Sequence, residues 1–203
     1  MSLIVREIFH SLQGEGGRQG EASIFIRLAN CNLNCWFCDT DWSTGTEMTM
    51  EQIAGEISAF KCDWIVWTGG EPTLQLTDAV AEFFFELGYK QAIETNGTNP
   101  VSRFVRYITV SPKKETSLKM LNDNFGIRGV DEFRYPLGAG EAEPPKIYDL
   151  PPASHYFVSP IFMGEEKKRF ALNEGNVAQC IDFVKRNPDW KLSLQLHKIL
   201  NIR

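Results

Sequence analysis

Trp64-Ile65-Val66-Trp67-Thr68-Gly69-Gly70-Glu71-Pro72 is the stretch on which the fold turns. Four bulky apolar residues in a row read as a buried strand, and the Gly-Gly-Glu-Pro turn ends it sharply. Glycines at such an end allow close approach of another backbone. Helix signals flank the strand on both sides. Upstream, Thr49 with Gln52 three residues on predicts a capping box and a helix to about residue 60. Downstream, Thr77 predicts a cap for a helix over 78–87, with Ala79, Phe83 and Leu87 on one stripe and Gly88 as its stop.

The same alternation extends both ways. Residues 4–9 and 22–29 read as strands, separated by a Gly-rich loop from Gln13 to Gly20. Further strands are predicted at 91–94, 107–110, 130–135, 155–159 and 191–196, with a helix at 174–187. Residues 136–153 carry Pro136, Pro144, Pro145, Pro151 and Pro152 and predict an irregular surface excursion. Strands alternating with helices predict an α/β fold with a mainly parallel sheet. A full eight-fold barrel takes about 250 residues. The chain has 203, so a partial, TIM-like barrel in a single domain spanning 1–203 is expected.

Composition narrows the function classes. Lys and Arg total 21 against 26 Asp and Glu, a net charge of −5, which argues against nonspecific nucleic-acid binding. The apolar runs, such as 22–26 and 83–85, are far too short to cross a bilayer. Residues 1–7 show no signal-peptide pattern. The five cysteines, at 31, 35, 38, 62 and 180, are odd in number with three tightly clustered. That pattern predicts reduced thiols in a cytoplasmic protein, not a secreted disulfide framework.

Cys31-Asn32-Leu33-Asn34-Cys35-Trp36-Phe37-Cys38 is the sharpest chemical signal. Structural zinc normally takes four closed ligands. Cys62 is remote in sequence, and the histidines stand at 10, 155 and 197. A 4Fe-4S cube held by three thiolates keeps one iron open for another ligand. A structural zinc loop completed by Cys62 or a distant His is the competing reading.

Three cysteines so spaced, just after a strand, resemble the signature of radical S-adenosylmethionine enzymes. The resemblance implies a partial barrel of that type. It also implies S-adenosylmethionine chelated at the open iron and cleaved to a 5′-deoxyadenosyl radical that abstracts hydrogen. Thr68-Gly69-Gly70-Glu71-Pro72 is similar to the segment lining the methionyl amino group. Further motifs narrow the likeness: His10-Ser11-Leu12-Gln13-Gly14-Glu15-Gly16, Phe25-Ile26-Arg27-Leu28, Cys38-Asp39-Thr40, Glu94-Thr95-Asn96-Gly97, Ser111-Pro112-Lys113 and Gln195-Leu196-His197-Lys198. Together they resemble the 7-carboxy-7-deazaguanine synthases of the queuosine and 7-deazapurine pathway, over nearly the whole chain. That family implies a carbon–nitrogen lyase. It contracts 6-carboxy-5,6,7,8-tetrahydropterin to 7-carboxy-7-deazaguanine with loss of ammonia, using a 4Fe-4S cluster, S-adenosylmethionine and Mg²⁺.

Site roles follow from the resemblance. Cys31, Cys35 and Cys38 would hold the cluster and Thr40 the Mg²⁺. Leu12, Gln13, Gly14, Glu15, Arg27, Thr68 and the terminal Arg203 would contact substrate. Phe37, Cys38, Asp39, Gly70, Ser111, Pro112, Lys113, Ser159, Pro160, Ile161 and Phe162 would line S-adenosylmethionine. Ser159 departs from the glutamine frequent at its place in the family. The residue types agree with these roles. Arg27 offers a bidentate fork for a carboxylate, and Mg²⁺ takes oxygen ligands. A homodimer and a flavodoxin-type electron donor are implied as partners, with no direct nucleic acid and no membrane. Cys62, Cys180, Trp64, Trp67 and residues 83–85 are expected in the core, and Gly164-Glu165-Glu166 as a solvated loop. The competing enzyme reading is an activase that makes a glycyl radical on a protein partner. The noncatalytic one is a zinc or iron-sulfur binding module.

Overall fold

A computed structural model describes residues 1–162 and 173–203. The Gly164-Glu165-Glu166 segment lies outside the described residues. The chain divides into two compact units. One comprises 1–11, 22–95 and 99–108, and the other 12–21, 96–98 and 109–203.

In the first unit the elements are β1 (Ser2–Leu12, whose last residue belongs to the second unit), β2 (Ala22–Leu28), β3 (Thr46–Thr49), α1 (Met50–Ile57), β4 (Trp64–Gly69), α2 (Asp78–Glu86) and β5 (Lys90–Thr95). The strand order is β3-β1-β2-β4-β5. The stretch that opens at Trp64 sits where its sequence requires. It is parallel to β2 and to β5, with Ile65 opposite Ile24 on one side and Gln91 on the other. Ile65, Val66 and Trp67 are buried. Trp67 packs edge-on against Phe84 of α2, ring centroids 5.2 Å apart. Its indole N–H donates to Gln91 Oε1 at 2.9 Å, and the Gln91 amide donates to the Ala81 carbonyl at 2.7 Å. A buried polar pair therefore ties β4, β5 and α2 together with its groups satisfied.

Thr49 forms the predicted capping box with Gln52. The strand just before it, β3, was not expected. It pairs antiparallel with β1, Ser2 opposite Thr49. Its sequence, Thr-Glu-Met-Thr, is exposed at three of four positions and so carries no burial signal. On α2 the buried stripe is Val80, Ala81 and Phe84, one position on from the stripe predicted. The run Phe83-Phe84-Phe85 is apolar all round, so contact with Trp67 decides which ring faces inward. Phe85 stays half exposed.

The second unit carries β6 (Tyr107–Val110, whose first two residues belong to the first unit), α3 (Leu118–Phe125), β7 (Val130–Leu137), β8 (Ala153–Pro160), α4 (Glu174–Arg186), β9 (Lys191–Leu192) and α5 (Leu196–Leu200). β6 through β9 are ordered consecutively and parallel. In neither unit does the strand order return to its start, as expected for an incomplete barrel. Helix α3 was not predicted, although Ser117 caps it by accepting from Met120 N–H. The predicted strand at 191–196 is cut to two residues and gives way to α5. A five-residue helix is held by packing, and its sequence has too few turns to show a period. Within 136–153, β7 runs on through Pro136, which sits opposite Ser159 of β8.

Cys180 is fully buried on α4, and burial pushes its thiol up to about 12. Cys62 is only half-buried, against expectation. Thiolate, not thiol, reacts with alkylating reagents. Iodoacetamide at about pH 8 is therefore expected to leave Cys180 untouched in the folded apoprotein and to label it only in denaturant. Peptide mass mapping that finds Cys180 modified as fast as Cys38 would contradict this. The value in the fold lies above the ordinary 9.0. Cys180 therefore favours the fold below about pH 9, and that contribution fades as the pH climbs toward 12.

Candidate functional site

The carboxyl end of β2 delivers Arg27 and then the cysteine loop. Asn30 takes a left-handed turn (φ 69°) immediately before Cys31. The end of β4 is stitched to this root. Gly70 N–H donates to the Leu28 carbonyl at 3.0 Å and Glu71 N–H to the Asn30 carbonyl at 2.9 Å. Gln75 holds the same place from the side, accepting from Ile4 N–H at 2.7 Å and donating to the Ala29 carbonyl at 2.8 Å. Gly69 has φ 124°, and a Cβ at Gly70 would collide with the Asn30 carbonyl. Gly69 is thus dictated by its positive φ and its close approach to Leu28 of β2, and Gly70 by close approach to the root of the loop that carries Cys31.

Glu71 is completely buried. Its Oε1 accepts from Thr73 N–H at 3.0 Å, from the Thr73 hydroxyl at 2.6 Å and from the Thr95 hydroxyl at 2.8 Å. The Cys31 thiol is held above its ordinary range, chiefly by burial and further by the negative charges of Glu71 and Cys38. Cys31, Cys35 and Cys38 stand on one loop outside any disulfide, and the Cys38 N–H donates to the Cys35 carbonyl at 3.1 Å. Among the described residues no three His, Cys, Asp or Glu side chains converge as a ready metal cage. Three thiols on one loop are the donors that a 4Fe-4S cluster with one open iron takes.

Arg27 and Thr40 meet. The Arg27 Nη1 stands 3.4 Å from Thr40 Oγ1, and its Nε donates to Glu7 on β1 at 2.8 Å. The guanidinium also lies over the Phe9 ring, 5.9 Å from its centroid. Glu7 was not among the predicted site residues. A half-buried arginine in an apolar strand needs a counter-ion nearby, and that requirement is the signal that could have found it. Thr68 is buried, with its hydroxyl 3.5 Å from Glu94 Oε2. Phe37 meets Trp36 edge-on at 5.4 Å, and Asp39 is exposed beside Thr40.

The second unit brings together a different set. Gln13 is buried, and Gln13 Oε1 accepts from Glu15 N–H at 3.2 Å. Leu12 is partly exposed. Gly14 lies so close to His197 that a Cβ would overlap the imidazole, and its carbonyl accepts from Leu196 N–H at 2.9 Å. Ser159 Oγ sits 3.2 Å from Glu15 Oε1 and 2.8 Å from the Ser193 carbonyl. Lys113 Nζ donates to Ser111 Oγ at 2.7 Å, and Lys113 N–H donates to Thr116 Oγ1 at 3.1 Å. Pro112, Pro160 and Ile161 are buried. Phe162 lies under the Lys198 ammonium, 4.7 Å from its ring centroid, and Arg203 is exposed. Glu132 and Arg134 of β7 also enter this set and were not predicted.

Known proteins are similar to the chain over nearly its full length. The chain is 39% identical to the 7-carboxy-7-deazaguanine synthase of Bacteroides thetaiotaomicron, covering 98% of both chains. It is 36% identical to that of Neisseria meningitidis, covering 95% of this chain and 90% of the relative. The chain belongs to the 7-carboxy-7-deazaguanine synthase family. Within it, residues 25–112 match the Radical SAM superfamily, a span that holds the cysteine loop, Arg27, Thr68, Gly70 and Ser111-Pro112. The crystal structure of QueE from Escherichia coli shares the fold, with a TM-score of 0.70 at 23% identity over 97% of this chain and 95% of that one. Family membership does not favour the glycyl-radical activase. Among the described residues no helix is long and apolar enough to cross a membrane.

Proposed function

We propose that the chain, acting as one radical S-adenosylmethionine domain over 1–203, contracts 6-carboxy-5,6,7,8-tetrahydropterin to 7-carboxy-7-deazaguanine and releases ammonia. The observation that carries the substrate assignment is the meeting of Arg27 and Thr40 at 3.4 Å. A carboxylate paired to the Arg27 fork lies within reach of a magnesium ion held at Thr40, so one substrate group engages both. Glu7, bonded to Arg27 Nε, orients the fork.

Cys31, Cys35 and Cys38 would hold the cluster. Phe37, Asp39, Gly70, Ser111, Pro112, Lys113 and, further along, Ser159, Pro160, Ile161 and Phe162 would receive S-adenosylmethionine. When bound, these groups supply the hydrogen-abstracting radical. The protein's own share is position. Arg27 grips the carboxylate, Thr68 offers a hydroxyl, and Leu12 to Glu15 present backbone and carboxylate acceptors to the ring edge. Arg203 would contact the substrate as well. Correct placement supplies much of the rate in such reactions. The enzyme is read as a cytoplasmic homodimer fed by a flavodoxin-type donor. The odd number of cysteines, three of them clustered, suits a reducing compartment.

The test is anaerobic incubation of the reconstituted protein with the pterin, S-adenosylmethionine, Mg²⁺ and a reductant. A product lighter by one ammonia is expected, and its absence from protein that has taken up iron and sulfide sinks the proposal. Thr40→Ala is expected to keep its iron and to need a higher Mg²⁺ concentration for half-maximal rate. An unchanged Mg²⁺ response would remove Thr40 from the metal site.

A further inference from the structure

Glu132 and Arg134 stand two residues apart on β7, so their side chains leave the same face of the strand. Both are buried, at 1% and 4% exposure. Two charged groups so placed are costly to desolvate unless each has partners. Each has a partner in the 12–21 loop. Arg134 Nη1 is 3.2 Å from Glu15 Oε2 and 3.9 Å from Glu132 Oε1. Glu132 Oε2 accepts from Gly17 N–H at 2.7 Å, and Oε1 accepts from the Thr109 hydroxyl at 3.1 Å. Gly16, at φ 70°, approaches Glu132 so closely that a Cβ would overlap the carboxylate. Ser193 Oγ accepts from Gly16 N–H at 2.9 Å, and Ser159 Oγ reaches Glu15 Oε1 at 3.2 Å.

The loop is therefore seated on a buried charge pair, with Glu15 at its contact point. We propose that Arg134, backed by Glu132, is a positioning residue that aims the Glu15 carboxylate at the paired N–H donors of the pterin's amino-pyrimidinone edge. This rests on the assignment of residues 12–15 to substrate. A carboxylate has about four acceptor positions. Arg134 faces one oxygen at 3.2 Å as its charge partner, and the Ser159 hydroxyl, which is closer to the Ser193 carbonyl, lies 3.2 Å from the other, which leaves both oxygens able to accept from the adjacent ring N–H and exocyclic NH₂. The salt bridge also holds Glu15 in one orientation. A ligand that offers an oxygen in place of the amino group meets a fixed anion and is rejected.

The holoenzyme, with S-adenosylmethionine present, is titrated anaerobically with 6-carboxytetrahydropterin and with its 2-oxo analogue, which lacks the amino group. The wild type is expected to bind the pterin and to discriminate against the analogue. Arg134→Met is expected to weaken pterin binding about tenfold or more and to erase most of the discrimination. KM should rise more than kcat falls. Arg134→Lys, which keeps the charge and so guards against a variant that fails to fold, is expected to recover part of both. Combining Arg134→Met with Glu15→Gln should do little more than the worse single change. Arg134→Met binding within about twofold of wild type overturns the inference. So does an equal loss for both ligands, or losses that multiply in the double variant. A wild type that binds no pterin overturns the proposed function instead.

Discussion

Gly70→Ala is expected to cost the protein most of its iron after reconstitution and about a hundredfold or more of its rate. The new methyl would fall on the Asn30 carbonyl, which already accepts the Glu71 N–H. Backbone cannot swing aside like the end of a flexible side chain. The root of the cysteine loop must move, and Cys31 moves with it. Forced repacking of this kind costs about 1–3 kcal/mol. In a chain of this size that lowers the melting temperature by about 2–4 °C per kcal/mol. The loss of iron should exceed what that modest destabilisation explains, because three thiols must keep their relative placement. Iron per chain and thermal melts of the apoprotein check this together. A variant with full iron and wild-type rate would show that the close approach of β4 to the loop is dispensable.

The reading of Trp64 to Pro72 held because one physical cause dominates there. An apolar run that ends on glycines has few places to go in an α/β chain. Arg27 and the cysteines could be singled out because their chemistry is local, three thiols on one loop and one fork in one strand, whereas Thr40 stood out only through the family resemblance. What stayed hidden depends on pairing across long sequence distances. β3 is an exposed edge recognised only by its bonds to β1. Glu132 and Arg134 lie about 120 residues from Glu15, and an alternating charged pair in a strand looks like a solvated face until its partner is known. Glu7 was passed over for the same reason. α5 is too short for periodicity, yet it presses His197 against Gly14.

Glu71 shows how a residue inside a motif serves the site without facing a ligand. Its buried Oε1 gathers three donors, two from Thr73 and one from Thr95, and Thr73 in turn accepts from the Asn99 amide at 3.1 Å. Glu71→Ala removes the acceptor for all of them at once. Losing a buried partner costs about 1–3 kcal/mol per group, and rotation of the two hydroxyls recovers part of it. A net loss of about 3 kcal/mol is expected, a fall in melting temperature of about 6–12 °C. Glu71→Gln separates shape from charge. With its amide oxygen in the Oε1 place it still accepts all three bonds, so a loss of about 1 kcal/mol or less is expected. The negative charge facing Cys31 disappears, however, and that charge is one of the causes holding the Cys31 thiol high. Its value should fall, the thiolate fraction at about pH 8 should rise, and iodoacetamide should label Cys31 faster in the apoprotein than in wild type. Thermal melts of both variants and mapped alkylation rates of the glutamine variant check the two halves separately. An alanine variant that melts like wild type would mean that the bonds at Oε1 do not brace the turn. Unchanged Cys31 labelling in Glu71→Gln would mean that the carboxylate's field does not reach the cysteine loop.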